Sequence, residues 1–282
     1  MYLFFSGMLL NLFRRRFTVF PLLFAFGFIF LALLQCVPVA ANAAEASPAE
    51  VSPISNAFCK DMKNHKTLTG HGPVGCERLA SVKFSYLGFD GRVHGDGEMI
   101  VLDAVAARVA RIFDRLLQLR FPLAKVLPVN RYDGDDDASM ADNNTSSFND
   151  RVVSGRTSLS MHAYGLAIDL NPVQNPFLEG IGASRRVSPD GGKTYLDRKD
   201  IRPGMAEQVI DVFADNGFLI WGGDWHNPID YQHFQVDRDL AEQMARLSSS
   251  AAREVFEKRA EEYRRCRQSG KSRTACHSPP RT

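Results

Sequence analysis

The chain has 282 residues, of which 45% are hydrophobic, 23% charged and 10% aromatic. That balance excludes a disordered, collagen-like or low-complexity protein and supplies ample apolar material for a core. With 34 Lys and Arg against 32 Asp and Glu, the overall charge gives no case for a nucleic-acid partner.

Arg14, Arg15 and Arg16 precede an uncharged, largely apolar run over residues 17–41, which closes on Ala41-Asn42-Ala43. Basic residues, an apolar stretch and a small-x-small tripeptide read as a secretory signal. The run is also long enough to span a bilayer, so an uncleaved inner-membrane anchor is the alternative reading of residues 1–43. Either way the rest of the chain is expected to be exported, in the periplasm or cell envelope. Of the five cysteines, Cys36 falls in this segment and Cys59, Cys76, Cys266 and Cys276 remain. An even number in an exported chain favours disulfides. Three pairings are open. Cys59–Cys76 with Cys266–Cys276 is the simplest, because each bond closes a short loop in one terminal region. No C-x-x-C occurs, which weakens a metal role for these thiols.

Residues 44–57 read as a flexible leader and 58–78 as a polar stretch held by the first cysteine pair. A domain is expected over 79–237. Residues 81–87 alternate like a strand, and Phe89-Asp90-Gly91 is a turn. Over 99–119, Leu102, Val105, Val109, Ile112, Phe113 and Leu116 recur at helical spacing, with Arg108, Arg111 and Arg115 on the opposite face. Pro122 ends that helix, and 124–129 reads as a strand. Residues 132–160 are rich in Asp, Asn and Ser without periodicity; so long a polar segment inside a domain is more often functional than idle. Its Asp133, Asp135 and Asp137 mimic a calcium loop, but Ala138 and Asn144 stand where that loop needs Gly and Glu.

Further on, 165–170 reads as an apolar strand and 171–202 as a Pro- and Gly-rich excursion. Residues 205–213 form a short helix stopped at Gly217. Residues 218–221 and 233–236 read as strands, and 240–263 as one helix with a basic tail behind it, giving a C-terminal helix and basic tail over 238–282. A nucleic-acid reading of that tail rests on Arg264, Arg265, Arg267, Lys271 and Arg273 alone, and such runs are usually solvated faces. A long helix, short strands and long loops, without βαβ alternation, point to the α+β class. No oligomeric state follows from these patterns.

Three segments carry the chemistry: Ser160-Met161-His162-Ala163-Tyr164-Gly165-Leu166-Ala167-Ile168-Asp169, then Trp221-Gly222-Gly223-Asp224-Trp225-His226, then Asp230-Tyr231-Gln232-His233-Phe234. A catalytic zinc takes three protein ligands from His, Asp or Glu and keeps one position open, and His162, Asp169 and His233 supply that set. Asp169 sits between Ile168 and Leu170, where a carboxylate is costly unless paired or metal-bound. His162 and Asp169 are seven residues apart, so a straight strand would point them to opposite faces; a bend at Tyr164-Gly165 would correct this. Asp230, three residues before His233, places a carboxylate near the metal without making it a ligand, which suits a general base. His226 is a rival ligand, set among turn residues. Each His or Asp alone has an ordinary structural explanation; the weight lies in their combination.

The pattern S-x-H-x-x-G-x-A-x-D followed by W-G-G-D-W and D-x-x-H-F resembles the zinc D-alanyl-D-alanine carboxypeptidases and L-alanyl-D-glutamate endopeptidases, the VanY-like or LAS-type peptidases. The resemblance covers about residues 79–237. It implies a small antiparallel sheet flanked by helices, with Zn2+ on His162, Asp169 and His233 and with Asp230 as base. Carboxypeptidase members often carry Glu there, so Asp is more like the endopeptidase branch. The resemblance also implies an upstream Arg or Gln to stabilise the oxyanion, for which Arg151 is the candidate and Arg131 and Arg156 the alternatives. The expected substrate is a peptidoglycan stem peptide. The rival reading is a non-catalytic, zinc-containing cell-wall binding module of the same fold.

Overall fold

The computed structural model describes residues 47–277. The apolar N-terminal run and its cleavage motif lie outside the described residues, among which no helix is long and apolar enough to cross a membrane.

The leader contains an element that its composition conceals. Strand β1 (Glu50–Pro53) runs antiparallel to strand β2 (Leu79–Gly88), with Val51 opposite Val82. Its backbone groups complete an otherwise open sheet edge, a position that tolerates Pro53 because the edge needs no donor from every residue. Helix α1 (Asn56–Asn64) follows, capped by Ser55, whose side chain accepts from the Phe58 N–H at 3.1 Å. The Cys59–Cys76 disulfide ties α1 to the turn that enters β2.

Strand β2 folds back on β3 (Val93–Leu102) around the Phe89-Asp90-Gly91 turn. The helix expected from residue 99 starts later: α2 is Ala106–Gln118. Met99, Ile100, Val101 and Leu102 are all buried, and a run with no polar face does not distinguish a strand from a helix. Phe113 of α2 stacks on Phe84 of β2, ring centres 4.1 Å apart. Arg108 is not on a solvated face as expected. It is buried, and its Nε donates to Glu257 at 2.9 Å.

The strand expected at 124–129 is reduced to short pairings. Pro122–Leu123 (β4) adds parallel to the end of β2, and Lys125–Val126 (β5) pairs with Asn144–Thr145 (β6) across helix α3 (Asp136–Ala141). Asp133 and Asp135 act as caps, Asp135 accepting from the Ala138 N–H at 3.0 Å.

Beyond α3 come β7 (Ala167–Asp169), β8 (Phe177–Glu179), β9 (Arg186–Ser188), helix α4 (Ile210–Asp215), β10 (Ile220–Trp221), β11 (Ile229–Asp230) and β12 (His233–Gln235). They form two antiparallel three-stranded sheets, ordered β10-β12-β7 and β11-β8-β9. The 171–202 excursion is anchored by Arg198. Its Nη1 donates to the Gln174 carbonyl at 2.7 Å, its Nη2 to Asn175 Oδ1 at 3.0 Å, and its guanidinium lies 4.3 Å from the Tyr231 ring centre.

The single C-terminal helix expected over 240–263 is two: α5 (Arg238–Arg246) and α6 (Ser249–Gln268). Leu247 is extended, and the Ser248 side chain caps α6 by accepting from Ala251. Helix α7 (Arg273–His277) is joined to α6 by the Cys266–Cys276 disulfide. These helices pack closely: Ala252, Phe256, Ala260 and Tyr263 are fully buried, and Arg78 Nη1 donates to the Leu247 carbonyl at 2.7 Å. Residues 47–277 fall within one compact unit. The class is α+β, with small antiparallel sheets flanked by helices.

Candidate active site

The S-x-H segment folds as a 3-10 turn, Met161–Tyr164, started by Ser160, whose Oγ accepts from the His162 N–H at 3.3 Å. Gly165 ends the turn in the left-handed region, φ 65°. A Cβ at this position would stand 2.6 Å from the Leu102 backbone nitrogen, so both the conformation and the space require glycine. The turn reverses the side-chain direction between His162 and β7, as the seven-residue spacing demands. On β7 and β12, Asp169 and His233 are direct register partners. The W-G-G segment brings β10 and β11 close: a Cβ on Gly222 would lie 2.5 Å from the Asp230 carbonyl oxygen, and one on Gly223 would run into the Trp221 ring at 2.3 Å.

His162, Asp169 and His233 converge, each offering one ligand atom within 4.8 Å of the others, all buried. His162 Nδ1 donates to the Ser147 carbonyl at 2.6 Å. A carbonyl only accepts, so His162 Nε2 presents a lone pair to Asp169 Oδ2 at 3.1 Å and to His233 Nδ1 at 3.3 Å. His233 in turn has Nε2 at 2.8 Å from Gln235 Oε1 and Nδ1 at 2.9 Å from Asp169 Oδ1. With both rings neutral, two imidazole lone pairs and a carboxylate therefore face one another with no donor between them, an arrangement that calls for a cation. Two imidazoles and one carboxylate are zinc-type donors, so the residues fit a metal ion of that kind.

The electrostatics agree. Burial would raise the Asp169 carboxyl, but the two imidazoles outweigh it and hold the group well below the usual carboxylate range. Burial would likewise lower His233, yet its hydrogen bond to Asp169 and the nearby carboxylates push it up to about 9. In the metal-free chain a proton thus takes the place of the cation.

Asp230 lies on β11, opposite Phe177 of β8, at the wall of the same cleft. Its Oδ1 is buried without a hydrogen-bond partner. Burial, reinforced by the Asp169 charge, raises its carboxyl to about 7. Arg151 also lines the cleft; its Nη2 donates to Asp136 Oδ2 at 2.7 Å and its Nε is buried without a partner. Arg156 is in the cleft as well, whereas Arg131 borders a separate hollow with Asp61, His65 and Asp133. His226 is exposed and does not line the cleft. Trp225 does, its ring centre 5.5 Å from that of His233, while Trp221 is in the core with Nε1 donating to the Tyr231 carbonyl at 2.8 Å.

The cleft holds about 450 Å³. Two hairpins flank it: residues 151–160, bridged at Val152 and Leu159, and the β8–β9 pair. The polar 132–160 segment therefore supplies a wall. Sequence reasoning missed the contacts of Ser147 and Gln235. Gln235 carried a signal, since two residues along a strand from His233 is the same face.

Residues 154–236 match the family model described as D-alanyl-D-alanine carboxypeptidase, in accord with the resemblance carried by the motifs. The matched segment includes His162, Asp169, Asp230 and His233; Arg151 precedes it. The match supports a peptidase. Comparison with curated proteins and with solved structures returned no match.

Proposed function

We propose that the chain is an exported zinc metallopeptidase that hydrolyses peptidoglycan stem peptides, at the L-alanyl-D-glutamate bond as an endopeptidase or at the D-alanyl-D-alanine bond as a carboxypeptidase. The observation that carries this reading is the position of Asp230: a half-buried aspartate whose Oδ1 is itself buried and unpartnered, raised to about 7, in the cleft that also holds the three converging donors. A group that titrates near neutrality can both accept and return a proton. A passive metal-binding module has no need of one.

His162, Asp169 and His233 would hold the zinc, which when bound supplies a Lewis acid that makes water nucleophilic near neutral pH. Asp230 takes the proton of the attacking water at Oδ1 and delivers it to the leaving amine. Arg151, with Nε unspent, donates to the oxygen that gains charge as the scissile carbonyl becomes tetrahedral. Trp225 covers the His233 ring and keeps bulk water from that side. Export is supported by the basic-then-apolar N-terminal run and by two disulfides, which persist in oxidising compartments. The same run, if retained, would anchor the enzyme to the inner membrane.

The test is digestion of purified muropeptides by the zinc-loaded chain, read by mass spectrometry. Loss of a terminal D-alanine identifies the carboxypeptidase, and a cut after the first L-alanine the endopeptidase. Intact muropeptides from a zinc-loaded, folded chain would overturn the enzyme reading and favour the binding module.

A further inference from the structure

We propose that Gln235 is a positioning residue of the metal site: its side-chain carbonyl holds His233 as the Nε2–H form and so aims the Nδ1 lone pair at the metal position. This rests on the zinc reading above.

The orientation of the amide follows from its two neighbours. Gln235 Nε2 donates to the Val236 carbonyl at 3.2 Å, and Oε1 lies 2.8 Å from His233 Nε2. Exchanging the amide's two ends would set Oε1 against a carbonyl oxygen, two acceptors in contact. Oε1 is therefore the atom presented to the imidazole, and Nε2 of His233 must be the donor. That leaves Nδ1 as the ring atom without a proton in the neutral form, and Nδ1 is the atom 2.9 Å from Asp169 Oδ1 and 3.3 Å from His162 Nε2.

The arrangement mirrors the one at His162 with the ring atoms exchanged. There Nδ1 carries the proton, bound to the Ser147 carbonyl, and Nε2 faces the site. One ligand is oriented by a backbone acceptor, which no substitution removes; the other depends on a side chain. Outer acceptors of this kind fix the tautomer and direction of metal-binding histidines, and their loss typically weakens metal affinity by about 10–100-fold. Strand geometry explains why position 235 serves: the residue two along from His233 projects on the same face of β12.

The experiment compares zinc affinity, by chelator competition, for the wild type, Gln235→Leu and Gln235→Glu, with the melting temperature of each metal-free protein. Gln235→Leu keeps the volume and loses the acceptor, so its affinity should fall about 10–100-fold. Gln235→Glu keeps an acceptor and should bind at least as tightly as wild type. Unchanged affinity in Gln235→Leu, or equal weakening in both variants, overturns the proposal while leaving the metal reading intact. A folded wild type without zinc affinity overturns both. Should Gln235→Leu fail to fold, nitrogen-15 NMR of the zinc-loaded wild type decides: a proton on His233 Nε2 is the expected result, and one on Nδ1 overturns the assignment.

Discussion

Asp169 and His233 face each other across the β7–β12 ladder as register partners, with Oδ1 and Nδ1 2.9 Å apart. The separation of these two donors is therefore set by backbone hydrogen bonds and not by loop conformation. Only His162 reaches the site from a turn, and that turn is pinned by the Ser160 cap and the left-handed Gly165.

His162→Ala and His233→Ala should each abolish stoichiometric zinc binding, measured by metal analysis after dialysis. Full occupancy in either variant would remove that residue from the ligand set.

Asp230→Asn separates three roles for one carboxylate. As the base, it should keep zinc and melting temperature while turnover falls by about 10²–10⁴. A ligand would lose metal and activity together. A structural residue would lose stability, with the folded fraction near normal activity. Unchanged turnover in a folded, zinc-loaded variant would dismiss Asp230 as the base.

Stability should depend on pH without metal and not with it. In the metal-free chain His233 titrates at about 9, against an ordinary value near 6.5. A raised pKa contributes stability that is fully present below the unfolded value and is lost as pH rises through the folded one. Between about pH 7.5 and 9.5 the metal-free protein should lose on the order of 2 kcal/mol, a fall of several degrees in melting temperature. The zinc-loaded protein should show no such decline, because the metal replaces the proton. Parallel curves for the two forms would contradict the charged His233–Asp169 pair.

Gly165→Ala should destabilise the protein by at least about 1–2 kcal/mol, the cost of a left-handed residue with a side chain, before any displacement of Leu102. Zinc affinity should fall as well, since the turn aims His162. Wild-type stability in this variant would mean that the turn relaxes without difficulty.

The donors of the site were legible because ligand chemistry constrains residue type and spacing together. Asp169 between two apolar residues advertised an unmet charge, and Gly165 marked the bend that His162 needs. What escaped was decided by tertiary contact. Strand β1 looks like a linker because an edge strand borrows its stability from β2. Over residues 99–102, burial on every side erases the periodicity that tells a strand from a helix. The break at Leu247 turns on one serine cap within an otherwise helical run, and buried Arg108 depends on Glu257, 149 residues away. Gln235 is readable only by pairing two expectations, that His233 is a ligand and that 233–236 is a strand, which together put residue 235 on the ligand's face.

The hairpins that wall the cleft, residues 151–160 and β8–β9, contribute neither of the strands that carry Asp169 and His233. The metal donors are therefore held apart from the walls, although the 151–160 hairpin carries Arg151 and β8 pairs with the strand of Asp230. On the proposed function, sequence change in the walls alters which peptide fits the cleft while the metal ladder stays as it is. Grafting a different β8–β9 hairpin, which carries none of the proposed site residues, should accordingly change peptide preference, with zinc content as the check that the ladder has survived the graft.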